Sequence, residues 1–211
     1  MAKSILFDLD GTITDSGEGI MNCAELALRH FGLPVPDRTA MRVFVGPPLD
    51  ETFLKFGVRP EQTDEAIRVF RSRYTTVGKF ENIPYPGVES LLSGLKALGH
   101  KLYIATSKPE NMAKEVLEHF GLAKYFDLIC GATLDGSRSK KADIITYLLS
   151  DTGSHGDAVM VGDTAYDVIG AKAHGMPAVG VAWGYGQVED MESAGAIAIA
   201  HSMDELFQLL K

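Results

Sequence analysis

Asp8 and Asp10 stand one residue apart where the apolar run Ile5-Leu6-Phe7 stops, and Gly11-Thr12 follow at once. If this run is a buried strand, its period of two sends both carboxylates to one side as the strand ends, and Gly11 lets the chain turn sharply away. Two like charges held together are costly unless a cation joins them or one takes up a proton. A hard divalent metal resolves the conflict and leaves one carboxylate free to act on a substrate. Taken alone, Asp-x-Asp also fits a solvated acidic turn, so the rest of the chain has to decide.

A second acidic pair decides it. The apolar run at 158–161 is followed by Gly162-Asp163-Thr164-Ala165-Tyr166-Asp167. Asp163 stands just past that expected strand and Asp167 one helical turn later, so both can point back to one spot. A helix cap with a first-turn acid has the same look. Four carboxylates at one sheet end, however, are too many to gather without a metal. Mg2+ is the expected ion, because it takes few carboxylates and keeps places for water and phosphate oxygens. An anionic substrate then needs a local cation. Lys140 and Lys141 precede the helix that leads into the Asp163 strand, and one of them is expected to balance phosphate and acids together. Thr106-Ser107 follows another strand and, with Pro109, suits a helix start; its place at a strand's carboxyl end also suits function. Lys108 is read as a solvated charge.

The elements that must position these groups fall into two patterns. Between 16 and 82 the chain reads as helices alone. Ile20, Cys23, Ala24, Ala27, Leu28 and Phe31 share one helical face, and further helices are expected at 37–44, 49–56 and around Ala66, Ile67, Phe70 and Tyr74. After the break Pro84-Tyr85-Pro86-Gly87, helices at 88–98, 109–120, 141–149, 166–174 and 203–210 alternate with strands at 101–105, 127–130, 158–161, 178–182 and 197–200. That alternation predicts an α/β fold with a doubly wound parallel sheet. The first strand belongs to it. The expected organisation is therefore a core of residues 1–15 and 83–211, with a small all-helical domain, 16–82, inserted after the first strand. Ligands of open α/β sheets sit outside the strands' carboxyl ends, so the insertion is expected to act as a lid.

The 211 residues suffice for a sizeable core, and the composition is that of an ordinary globular protein. A net charge of −8 argues against a nucleic-acid polymer or an anionic membrane as partner. Cys23 and Cys130 read as reduced packing residues. No apolar run approaches the roughly 18 residues of a membrane span, and the N-terminus lacks a signal-peptide pattern, so a cytoplasmic protein is expected. There is no Gly-x-x-x-x-Gly-Lys phosphate loop, and Gly184-Tyr185-Gly186 does not complete a dinucleotide fingerprint.

With these motifs assembled, the chain resembles the haloacid dehalogenase superfamily, specifically its helical-cap phosphatases of the phosphoglycolate phosphatase and 5′-nucleotidase type. Asp8-Leu9-Asp10-Gly11-Thr12 is similar to the first family motif, Thr106 to the second, Lys141 to the third and Gly162 to Asp167 to the fourth. The third departs from the commoner form, in which proline follows the lysine; Ser139-Lys140-Lys141-Ala142 leaves both lysines open, with Lys141 preferred. Residues 131–138 look like the nucleotidase branch.

The resemblance implies Asp8 as nucleophile and Asp10 as general acid and base. It implies Mg2+ on Asp8, Asp163 and the Asp10 backbone carbonyl, with Asp167 as support or alternate ligand. Thr106, Ser107 and the amides of Leu9, Gly11 and Thr12 would hold phosphoryl oxygens, and Lys141 would orient Asp8. Specificity would come from the lid, with Gly46-Pro47-Pro48 as its reaching loop and Arg42, Arg73 and Lys79 as further contacts. The implied substrate is a small phosphorylated metabolite, with phosphoglycolate, a nucleoside 5′-monophosphate and a phosphosugar all open. Monomer and weak homodimer are both open. A phosphosugar mutase of the same fold is the alternative, and a phospho-aspartate signalling module a remote one.

Overall fold

The computed structural model describes residues 3–153 and 157–211. The chain divides into two compact units, Met1–Thr14 with Pro84–Lys211, and Asp15–Ile83. Strands β1 (Ser4–Phe7) and β2 (Thr14–Asp15) come first, followed by helices α1 (Gly17–His30), α2 (Arg38–Met41), α3 (Leu49–Lys55) and α4 (Thr63–Tyr74), then β3 (Ile83–Pro84). Helices and strands then alternate. They are α5 (Val88–Ala97), β4 (Lys101–Pro109), α6 (Glu110–His119), β5 (Leu128–Ala132), α7 (Lys141–Thr152), β6 (Ala158–Gly162), α8 (Ala165–Lys172), β7 (Ala178–Val181), α9 (Val188–Ala194), β8 (Ala198–Ala200) and α10 (Met203–Leu210).

The predicted doubly wound sheet is present: six parallel strands in the order β5-β4-β1-β6-β7-β8. Ile5, Leu6 and Phe7 are wholly buried, as a strand covered on both faces requires. Ile5, Phe7 and Leu9 pack with side chains of α5, α6 and α10, whereas Leu6 packs with those of α7, α8 and α9. Continuing the period of two, Asp8 and Asp10 fall on the Leu6 side.

From β1 the strand order steps outwards through β4 and β5, then reverses to run through β6, β7 and β8 on the other side. The carboxyl ends of β1, β4 and β6 border that reversal, where open α/β sheets bind ligands. Phe7 is level with Ile104 and Val161, so Thr106 and Asp163 lie one residue beyond the level of Asp8.

Some elements differ from expectation. The strand expected at 101–105 runs on to Pro109, with a register irregularity against β5 between Thr106 and Pro109. The helix expected at 37–44 divides into α2 and a 3-10 turn, Arg42–Phe44. Helix α9 escaped the sequence reading because Met191 is its one buried side chain, too little for a periodic signal.

Within Asp15–Ile83, α1 buries Ile20, Cys23, Ala24, Ala27 and Leu28, and α4 buries Ala66, Val69, Phe70 and Tyr74. Phe53 meets Phe44 and Phe70 edge-on, with ring centroids 5.1 and 6.4 Å apart. Cys23 and Cys130 are buried free thiols. Among the described residues no helix is long and apolar enough to cross a membrane.

Candidate active site

The end of β1 delivers Asp8 into a buried polar cluster. Its Oδ1 accepts the Leu9 N–H at 2.8 Å and lies 2.9 Å from Lys141 Nζ. Lys141 opens α7, and its ammonium also meets Asp167 Oδ1 at 2.8 Å and donates to the Ala105 carbonyl at 2.8 Å. Lys140, one residue earlier, is exposed. Lys140 is the extended residue before α7 and Lys141 its first helical residue, so the two side chains leave the backbone in different directions, one towards water and the other towards the sheet. Burial pushes the Asp8 carboxyl up to about 6 against the pull of Lys141. Burial opposes the Lys141 charge too, but Asp167 and Asp8 outweigh it and hold the ammonium's pKa above its ordinary value.

Asp163 directly follows β6. Its Oδ2 accepts the Tyr185 N–H at 2.8 Å, and the Thr12 hydroxyl approaches Oδ1 at 3.4 Å. Asp167 Oδ2 accepts from the Thr164 N–H at 3.1 Å and the Thr164 hydroxyl at 2.9 Å, which leaves Oδ1 to Lys141. Burial, then the charges of Asp167 and Asp8, drive the Asp163 carboxyl well above the usual carboxylate range.

Asp10 reaches the same end of the sheet but has a different partner. Lys108 Nζ lies 2.6 and 2.7 Å from its two carboxylate oxygens. The Lys108 side chain is 2% exposed, so the reading of it as a solvated charge is wrong. The extension of β4 carries it inward, and the ion pair compensates a burial that would otherwise be prohibitive. Thr106 is buried and its hydroxyl accepts the Lys108 N–H at 3.2 Å; Ser107 is half-buried. The amides expected to hold phosphate are engaged within the turn: Gly11 N–H donates to Thr14 O at 2.8 Å and Thr12 N–H to Leu9 O at 3.3 Å. A phosphoryl contact there requires the turn to release those bonds.

The buried ions do not balance. Among the described residues of this cluster, Asp8, Asp10, Asp163 and Asp167 face Lys108 and Lys141; with all four carboxyls ionised, two negative charges are left over, the complement of one divalent cation. One oxygen from each of Asp8, Asp163 and Asp167 lies within 4.8 Å of the others. Such hard, anionic donors suit Mg2+. The Asp10 side chain is turned to Lys108 instead, which leaves its backbone carbonyl as the donor the resemblance implies.

Two residues beyond β7 also contribute to the cluster. Tyr185 acts through its backbone N–H, which no residue type reveals, and Trp183 Nε1 donates to Thr12 O at 3.2 Å, tying the loop after β7 to the first motif. In the helical unit, Arg42 is exposed and Gly46-Pro47-Pro48 form the half-buried turn before α3. Arg73, expected as a lid contact, donates to both carboxylate oxygens of Glu81 at 2.6 Å. Lys79 is buried with its ammonium 5.0 Å from the Phe80 ring centre.

Comparison with known proteins places this geometry. Residues 5–181 match the family described as haloacid dehalogenase-like hydrolase. Tyrosine-protein kinase PtkA of Mycobacterium tuberculosis is 40% identical over 209 residues, covering 98% of this chain and 72% of its own length. A 5′-nucleotidase of Pseudomonas aeruginosa is 38% identical over 192 residues, covering 90% and 87%. The crystal structure of a predicted phosphatase from Clostridium acetobutylicum superposes with a TM-score of 0.96 at 43% identity, covering 100% and 98%.

Proposed function

The chain belongs to the haloacid dehalogenase-like hydrolases, and from that premise we propose that it is a cytoplasmic, Mg2+-dependent phosphatase acting through an aspartyl-phosphate. That it is a phosphatase enzyme follows from the family and from its phosphatase-named relatives. The observation that carries the finer reading is the division of labour at the end of β1. Asp8 joins Asp163, Asp167 and Lys141, while Asp10, two residues on, stands outside that group. The buried free thiols fit a reducing compartment.

Asp8, Asp163 and the Asp10 carbonyl would hold Mg2+, with Asp167 as support or alternate ligand, and the ion would supply neutralising charge for the phosphoryl oxygens. An Asp8 oxygen attacks phosphorus and forms a new P–O bond as the ester P–O bond breaks. Asp10 gives its proton to the departing alcohol oxygen. Water then attacks phosphorus and gives a proton to Asp10; the bond to Asp8 breaks, phosphate leaves and both carboxyls are restored. Lys141 orients Asp8, and Thr106 and Ser107 hold phosphoryl oxygens.

The substrate class is a small phosphomonoester, with a nucleoside 5′-monophosphate supported by the 38% identical nucleotidase and phosphoglycolate as its rival. The helical unit, through Arg42 and Gly46-Pro47-Pro48, sets the choice. The kinase name of the 40% identical relative raises a second reading, in which the phosphoryl group passes to a tyrosine instead of water.

A phosphate-release screen over phosphomonoesters with Mg2+, with no tyrosine acceptor present, tests the proposal. Wild type should release phosphate from at least one, and Asp8→Asn should lose turnover by a factor on the order of 10⁴ or more. Isomer without free phosphate would make the protein a mutase, and wild-type turnover in Asp8→Asn would remove the nucleophile.

A further inference from the structure

Phosphoryl transfer through Asp8 and Asp10 gives Lys108 no task, although its side chain is buried and paired. Its ammonium touches both oxygens of Asp10, a residue 98 positions away in the chain, and the two side chains are 2% and 12% exposed. Its backbone is fixed as well. The Lys108 N–H donates to the Thr106 hydroxyl at 3.2 Å. On the β5 side the backbone passes close to Gly131, where an added methyl group would lie 2.5 Å from the Lys108 carbonyl oxygen.

We propose that Lys108 is a positioning residue that fixes the orientation of the Asp10 carboxylate for turnover. One hydrogen bond would leave that group free to rotate about its Cβ–Cγ bond; contact with both oxygens, from an ammonium whose stem is buried, does not. Orientation matters because a group that moves a proton must lie within hydrogen-bond reach of it. A misplacement of about 1 Å costs roughly 10²-fold in rate. The geometry also shows why the site uses β4 in this way. The same four residues, Thr106 to Pro109, present the hydroxyl expected to face the phosphoryl group and the ammonium that holds Asp10, so both keep one register to Asp8.

This inference rests on the phosphatase reading, because Lys108 matters to catalysis only if Asp10 does. A double-mutant cycle separates positioning from structural or substrate-binding roles. Wild type, Lys108→Met, Asp10→Asn and the double variant are assayed with Mg2+ and p-nitrophenyl phosphate. Lys108→Met should lower kcat on the order of 10²-fold with KM changed less than about threefold. In the Asp10→Asn background the same change should lower kcat less than about threefold. Lys108→Arg, whose guanidinium can also engage both oxygens, should recover part of the loss.

Equal losses of kcat in both backgrounds, a rise in KM in place of the fall in kcat, or wild-type turnover in Lys108→Met would overturn the proposal. Should Lys108→Met fail to fold, with Asp10 left unpaired, the cycle is run with Lys108→Gln, whose shorter, neutral amide keeps a donor for Asp10 but cannot replace the ammonium on both oxygens, under the same criteria. The double variant removes both charges together and avoids that problem. If wild type releases no phosphate, or Asp8→Asn matches it, the phosphatase reading fails and this inference falls with it. If those controls hold and the cycle is additive, the Lys108 inference alone fails.

Discussion

A methyl group on Gly11 would lie 2.1 Å from Oδ2 of Asp163. The glycine of the first motif is therefore shaped by the aspartate of the fourth, which approaches it across the junction of β1 and β6. Gly11 is also in the left-handed region, at φ +85°, so both its backbone and the space beside it demand glycine. Gly184 presses on the same carboxylate from the other strand end, where its added methyl would lie 2.3 Å from Asp163 Oδ2.

Gly11→Ala should accordingly displace Asp163. Strain at such a backbone costs roughly 1–3 kcal/mol, and the displaced ligand costs more in function than in stability. The expected result is a folded protein with a lowered melting temperature that Mg2+ no longer raises. A variant that melts like wild type and responds normally to Mg2+ would show that Asp163 has room to move.

Mg2+ should raise the melting temperature of chelator-treated wild type, since an ion that binds the native state alone stabilises it. At a hundredfold excess over Kd the gain is about 2.7 kcal/mol. Asp163→Asn should lose most of that response. Equal shifts in wild type and variant would move the metal away from Asp163.

Removing the Asp8 charge should stabilise the metal-free protein. Burial raises this carboxyl from 3.8 to about 6, so the native state holds the proton more tightly than the unfolded chain. Well below the ordinary value of 3.8 both states are protonated and there is no penalty. As pH rises towards about 6 the unfolded state loses its proton first, and stability falls by about 3 kcal/mol in all. Melting curves of metal-free wild type and Asp8→Asn should diverge in the variant's favour across that window and run parallel above it. A gap independent of pH would contradict the assignment.

Lys141 and Lys140 should respond very differently to substitution. Lys141→Met strands Asp8 and Asp167 in the interior without their cation, which costs roughly 3–5 kcal/mol in metal-free protein and should abolish turnover. Lys140→Ala touches a solvated side chain and should stay within about 0.5 kcal/mol of wild type, with normal kcat. Melting temperature and phosphate release on the two variants check this, and reversed effects would exchange the residues' roles.

Much of the molecule was legible in the linear chain because the relevant signals are local. An apolar strand that ends in Asp-x-Asp-Gly fits a solvated turn and another that ends in Gly-Asp followed by a first-turn acid fits a helix cap, but the two together point to carboxylates gathered at strand ends. The alternation of helices and strands after residue 83 likewise predicted the parallel sheet now seen. What the chain could not declare was partnership at long range. Lys108 looks like any lysine until the extension of β4 carries it to Asp10, and a flexible four-carbon stem reaches an interior partner or water with equal ease. Lys140 and Lys141 are indistinguishable until the start of α7 at Lys141 turns that one to the sheet. Tyr185 contributes a backbone N–H that every residue but proline possesses, so only the position of the loop after β7 gives it meaning. The sequence by itself determined which strand ends carry carboxylates; the tertiary structure decided that Asp8, Asp163 and Asp167 gather while Asp10 turns to Lys108, and which cations and amides hold each of them, because those bonds depend on where separate strand ends are brought together.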